Sequence, residues 1–131
     1  MFQASISTYD PPTSTIPAGF SCSRARTATT SRITLAGELD LATVAELDRE
    51  LRRAEQDATM IVLDLRALEF MDLSAAQLVL TADRRIRRAG GRLVIVRGAE
   101  VAWFLTLVCV DHLLEFAAEP VESGEYPIFP Q

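Results

Sequence analysis

The sequence predicts an α/β fold in one domain, a mixed β-sheet with parallel central strands packed by α-helices. Apolar residues alternate between strand-like and helix-like spacing in the order β-β-α-β-α-β-α. Two nearly continuous apolar runs, residues 59–65 and 92–96, have the look of strands covered on both faces. At 131 residues, 49% of them hydrophobic, the chain has material for one core and is crowded for two.

The elements follow in order. Residues 1–18 are rich in Ser, Thr and Pro and show no period, so they read as a flexible leader, with the domain spanning 19–118 and a loose tail over 119–131. Phe20 to Arg26 is a first strand, and Thr27 to Ser31 the turn after it. Ile33, Leu35 and Gly37 then alternate with Thr34 and Ala36 as a second strand that stops at Glu38-Leu39-Asp40. From Leu41 the period changes. Leu41, Val44, Leu47 and Leu51 recur every three or four residues opposite a charged face, and Asp40 or Thr43 can cap this helix. Residues 59–65 form the third strand, and Arg66 to Asp72 a short connection. A second helix runs from about Leu73 to Ala89 and is closed by Gly90-Gly91. These glycines end a helix and open none, so they are no phosphate loop. Residues 92–96 are the fourth strand. A third helix spans Glu100 to about Val110 with Val101, Phe104, Leu105 and Val108 inward, followed by a short strand within 111–116. Right-handed crossovers would place the helices against the sheet, whose last three strands run parallel.

Composition narrows the chemistry. The net charge is −5, which opposes general attraction to nucleic acid. Arg84, Arg85, Arg87 and Arg88 gather where a helix ends, a place that favours positive charge, and no aromatic residue is interleaved to stack bases. All 13 basic residues are Arg. Schiff-base chemistry, a P-loop lysine and a lysine base are therefore excluded. Cys22 and Cys109 form no CxxC pair and read as reduced thiols. The apolar run 101–110 falls short of the ~20 residues of a membrane span. With Asp10, Pro11 and Pro12 where a secretory signal would be apolar, a cytoplasmic protein is expected, with no membrane and no cofactor.

The carboxyl ends of parallel strands form the functional edge of such sheets. Here that edge carries Glu38-Leu39-Asp40 and Phe70-Met71-Asp72-Leu73-Ser74, which should be neighbours. Ser74 lacks a GxSxG elbow, and the only histidine, His112, lies after the third helix, so a hydrolytic triad is disfavoured. Asp40, Asp64 and Asp72 could in principle hold a metal, but capping explains carboxylates at strand ends more simply. By spacing alone Ser74 reads as a helix-start serine that solvates its turn. A phosphate there would still be tolerated, because it would meet free amides and the positive end of the helix dipole.

The string Ile33-Thr-Leu-Ala-Gly-Glu-Leu-Asp-Leu-Ala-Thr43 resembles a segment of STAS domains of the anti-sigma factor antagonist type. Ile61-Val-Leu-Asp-Leu65, Phe70-Met-Asp-Leu-Ser74 and Gly90-Gly-Arg-Leu-Val-Ile-Val96 resemble three further segments, in register from about Phe20 to Phe116. The resemblance implies a STAS-like domain that is not an enzyme. It implies binding to an anti-sigma factor, often a Ser kinase, with release of a sigma factor. Phosphorylation of Ser74 would end the binding. Asp40, Leu41, Thr43, Asp72, Leu73, Ser74, Ala75 and Gln77 would form the partner-binding edge, with Asp72 shaping the turn. Where the family usually has Ser-Ser-Gly-Leu-Gly, this chain reads Leu73-Ser74-Ala75-Ala76-Gln77. A STAS structural subunit of a transporter or of a multiprotein signalling complex is the alternative.

Overall fold

The computed structural model describes residues 19–117. The expected leader, residues 1–18, and the tail, residues 119–131, lie outside them. Within them the chain forms one α/β domain. Its strands are β1 (Ser21–Thr27), β2 (Thr30–Leu39), β3 (Met60–Met71) and β4 (Arg92–Val96), and its helices α1 (Val44–Asp57), α2 (Leu73–Arg88) and α3 (Ala99–Leu107). A single 3₁₀ turn spans Asp111–Leu113. The sheet order is β1-β2-β3-β4, with β1 antiparallel to β2 and the remaining neighbours parallel.

Because β2, β3 and β4 lie side by side in chain order, right-handed crossovers put α1 and α2 on the same face. The core forms there. Ile33, Leu35 and Leu39 of β2 meet Ile61, Leu63 and Leu65 of β3, Leu93 and Ile95 of β4, and the apolar stripes of α1 and α2. Each of these large side chains contributes about 1.5–3 kcal/mol by leaving water. Strand β2 shows the mechanism most plainly, since every second residue from Ser31 to Leu39 is buried.

Helix α2 has well-defined ends. Asp72 caps its start by accepting the Ala75 amide at 3.1 Å. At its finish Gly91 donates to Ile86 O and Gly90 to Arg87 O, the paired bonds of a Schellman motif, with Gly90 at φ +86. Helix α3 closes in the same way, through Val110 to Leu105 O and Cys109 to Thr106 O. There the left-handed position is held by Cys109, at φ +63.

Several boundaries differ from expectation. The first turn is only Ala28-Thr29, so Thr30 to Arg32 join β2. Strand β3 absorbs Arg66 to Met71, which had read as a connection, and pairs them with β2 as far as Leu39 opposite Met71. Two register shifts along that pairing break the period-two pattern. Helix α1 starts at Val44 and leaves Leu41 outside it, 77% exposed. In α3 only Val101 and Leu105 are buried, while Phe104 and Val108 are half-buried. The expected last strand is the 3₁₀ turn and one bridge between Phe116 and Ile95.

Candidate functional site

The pairing of Leu39 with Met71 determines the site, because it ends β2 and β3 at the same level. The two turns that follow are then stitched together. The Asp72 amide donates to Leu39 O at 3.1 Å, and the Leu41 amide donates to Asp72 Oδ2 at 3.2 Å. Glu38-Leu39-Asp40 and Phe70 to Ser74 are therefore neighbours.

In the first turn, Asp40 O accepts the amides of Thr43 and Val44, and Asp40 Oδ1 accepts the Ala42 amide at 3.0 Å. The Thr43 hydroxyl accepts the Asp40 amide at 2.9 Å and donates to Glu38 O at 3.0 Å. Neither side chain caps the helix in the usual manner, since Thr43 makes no side-chain cap bond. Both are used inside the turn. Thr43, only 3% exposed, supports the edge from beneath.

In the second turn, the half-buried Ser74 donates its hydroxyl to Asp72 Oδ1 at 2.6 Å. The Asp72 carboxylate thus gathers the Ser74 hydroxyl and the amides of Ala75 and Leu41. Partial burial works to raise its pKa. The bonds from the Ser74 hydroxyl and from the Ala75, Leu41 and Ser74 amides outweigh that and hold it below the ordinary carboxylate value. A carboxylate held low is a weak base, so Asp72 orients Ser74 without activating it as a nucleophile. Helix α2 has no acidic residue in its first turn, so the Asp72 carboxylate at the cap is the charge that meets the positive end of its dipole beside Ser74.

Around this hydroxyl the surface is apolar with an acidic border. Leu41, Phe70 and Leu73 are 77%, 48% and 54% exposed. A groove of about 240 Å³ beside them is lined by Glu38, Asp40, Thr43 and Glu69 among others. Sequence reasoning missed Glu69 as an edge residue and placed Phe70 on the edge without counting it as partner-binding, because the register shifts hide that both sit on a strand. Their signal was Phe70 itself, a large apolar residue next to the acidic strand end.

The other expected residues divide. Gln77 is exposed one turn further along α2, whereas Ala75 is fully buried and packs under the helix start. Replacing a family glycine by Ala75 therefore leaves the outer surface unchanged. Asp64 stands apart from Asp40 and Asp72: it is buried in β3 and holds Arg66 through two bonds, Nε to Oδ1 at 3.0 Å and Nη2 to Oδ2 at 2.7 Å. Among the described residues no three metal-ligating side chains converge. His112 is exposed after α3, and Cys22 has its thiol pushed up to about 11 by burial and by the nearby Glu50 charge.

The family model for "Mlab, STAS domain" matches residues 22–115, well over half of the chain. The chain belongs to the STAS domain family. No curated protein matches this STAS domain. Among solved structures it resembles the anti-sigma factor antagonist SpoIIAA in its unphosphorylated form, at 26% identity and a TM-score of 0.62, over 79% of this chain and 90% of that one. The phosphorylated Bacillus SpoIIAA gives 25% identity and 0.58, over 76% and 92%. An anti-sigma factor antagonist from Mycobacterium paratuberculosis shares the fold at 19% identity and 0.69, over 79% and 89%. The fold is thus SpoIIAA-like, and among the described residues no helix is long and apolar enough to cross a membrane.

Proposed function

We propose that this STAS domain is an anti-sigma factor antagonist that works by protein binding and is not an enzyme. It docks on an anti-sigma factor of the Ser kinase type, so that a sigma factor is released, and phosphorylation of Ser74 ends the docking. The observation that carries this reading is the placement of one half-buried hydroxyl at a helix start capped by Asp72, on an edge that exposes Leu41, Phe70 and Leu73. The apolar ring supplies contact area, and its acidic border favours a partner with basic groups at the rim.

A phosphate on Ser74 adds about −1.5 to −2 charges and removes the proton that Asp72 accepts. The positive end of the helix dipole favours the added negative charge, so the domain stays folded. What changes is the surface. A dianion beside Asp72, Asp40 and Glu38 is incompatible with an apolar contact.

The test is binding of the full chain to the anti-sigma factor that co-purifies with it, measured by titration calorimetry. Ser74→Asp should bind at least about 30-fold more weakly, near 2 kcal/mol, with an unchanged melting temperature, and Ser74→Ala should bind like the parent. Parental affinity in the Asp variant would refute the switch. The second reading is a STAS structural subunit of a transporter or signalling complex that is never phosphorylated. Co-purification with a permease or its ATPase, and no phosphoserine by mass spectrometry, would select it.

A further inference from the structure

We infer that helix α3 is a self-association surface whose partner is a second copy of this chain. A short helix facing water ordinarily carries charge on its outer side, as α1 does with Asp48, Arg49, Arg52 and Arg53. Helix α3 carries one charged residue, Glu100, and exposes Trp103 at 68% and Leu107 at 60%. Leu113, from the turn that follows, is 48% exposed.

Ala99, Trp103 and Leu107 are spaced by four, and all three are exposed. They form one ridge of the kind that packs helix against helix. An antiparallel pairing about a two-fold axis at Trp103 sets the small Ala99 of one copy opposite the large Leu107 of the other. Such a contact is isologous and closes on itself. Glu100 then faces Thr106 of the second copy, so no charge on the ridge meets its like.

Charge selects this face over the other exposed apolar patch. Two chains each of net charge −5 repel one another on average. Pairing through Leu41, Phe70 and Leu73 would press Glu38, Asp40, Glu69 and Asp72 toward their own copies. The α3 ridge is neutral. Trp103 and Leu107, together with Leu113 of the following turn, expose roughly 350 Å² of apolar surface per copy, taking on the order of 150–250 Å² for a whole large side chain. A stable complex needs about 800 Å² per partner, so this dimer is weak and follows protein concentration.

Trp103 is the only tryptophan, which makes it a direct reporter. Sedimentation velocity of the full chain from about 10 to about 500 micromolar should show a shift toward dimer mass, together with a blue shift of tryptophan emission and weaker iodide quenching. Leu107→Arg keeps the reporter and replaces an exposed side chain, so it should hold the monomer at every concentration with an unchanged melting temperature. Monomer mass throughout the range would overturn the inference. So would a dimer that survives Leu107→Arg, or a blue shift that needs added phosphatidylcholine vesicles and ignores protein concentration.

Discussion

The two ends of helix α2 solve the same problem with opposite chemistry. At its start the free amides are met by Asp72, the nearest exposed groups are the apolar Leu41, Phe70 and Leu73, and a hydroxyl stands among them. At its finish Gly90-Gly91 closes the last turn, and the surrounding groups are ion pairs. Arg85 grips Glu55 of α1 through bonds of 2.7 and 2.6 Å, and Arg87 holds Asp83. The finish ties Arg85 and Arg87 to carboxylates of the chain itself. The start leaves apolar area exposed among the described residues. Under the proposed function, partner binding belongs to the start, while ion pairing gathers at the other end.

Substitutions at the two ends should therefore separate into distinct phenotypes. Asp72→Ala removes the acceptor of three donors and should lower stability by about 2 kcal/mol, read by thermal denaturation at pH 7. Because the folded-state pKa of Asp72 lies below its unfolded value, its contribution is complete above the unfolded value of about 3.9 and fades as pH falls through the folded one. The stability gap between parent and variant should hold steady from neutral pH to about 5 and narrow below about 4. A gap that widens in acid would show that Asp72 is not held in its ionised form.

Gly90→Ala tests the other end. A Cβ at that position meets nothing within 4 Å, so the cost is that of a left-handed residue alone, about 1 kcal/mol. Partner binding, measured by the titration used for Ser74, should not change. The smallest effect is expected of Arg85→Gln, about 0.5 kcal/mol at low salt and less at high salt, because the pair it breaks is partly open to water. Should Gly90→Ala or Arg85→Gln weaken partner binding more than Ser74→Asp does, the division of labour between the two ends is wrong.

The sequence disclosed the helices and the central strands because burial imposed a regular period on them: Leu47 and Leu51 in α1, and the alternation of β2. It disclosed the Asp72 cap because a carboxylate just before an apolar helix has few other uses. It concealed the second half of β3. Between Thr34 and Ala36 and again between Gly37 and Glu38 the pairing with β2 slips, so Leu68, Glu69, Phe70 and Met71 follow no clean alternation. Leu41 was concealed differently. It fits the spacing of α1 yet lies in the turn before it, because Asp40 and Thr43 use their polar groups to bend the chain there. For the site, the neighbourhood of Asp40 and Ser74 was readable from strand ends, whereas the burial of Thr43 and Ala75 depended on packing across elements.

Strand β1 bounds the sheet on one side, and its sequence is marked by arginine. Arg24 reaches across to Glu50, and Arg26 donates to the Asp57 carbonyl. Among the described residues β1 pairs on one side only, and long side chains anchored there make poor company for another strand, so growth of the sheet from molecule to molecule is discouraged. If the proposed function holds, the unbound form of the domain gains from such a fence, which disfavours strand-to-strand pairing between copies.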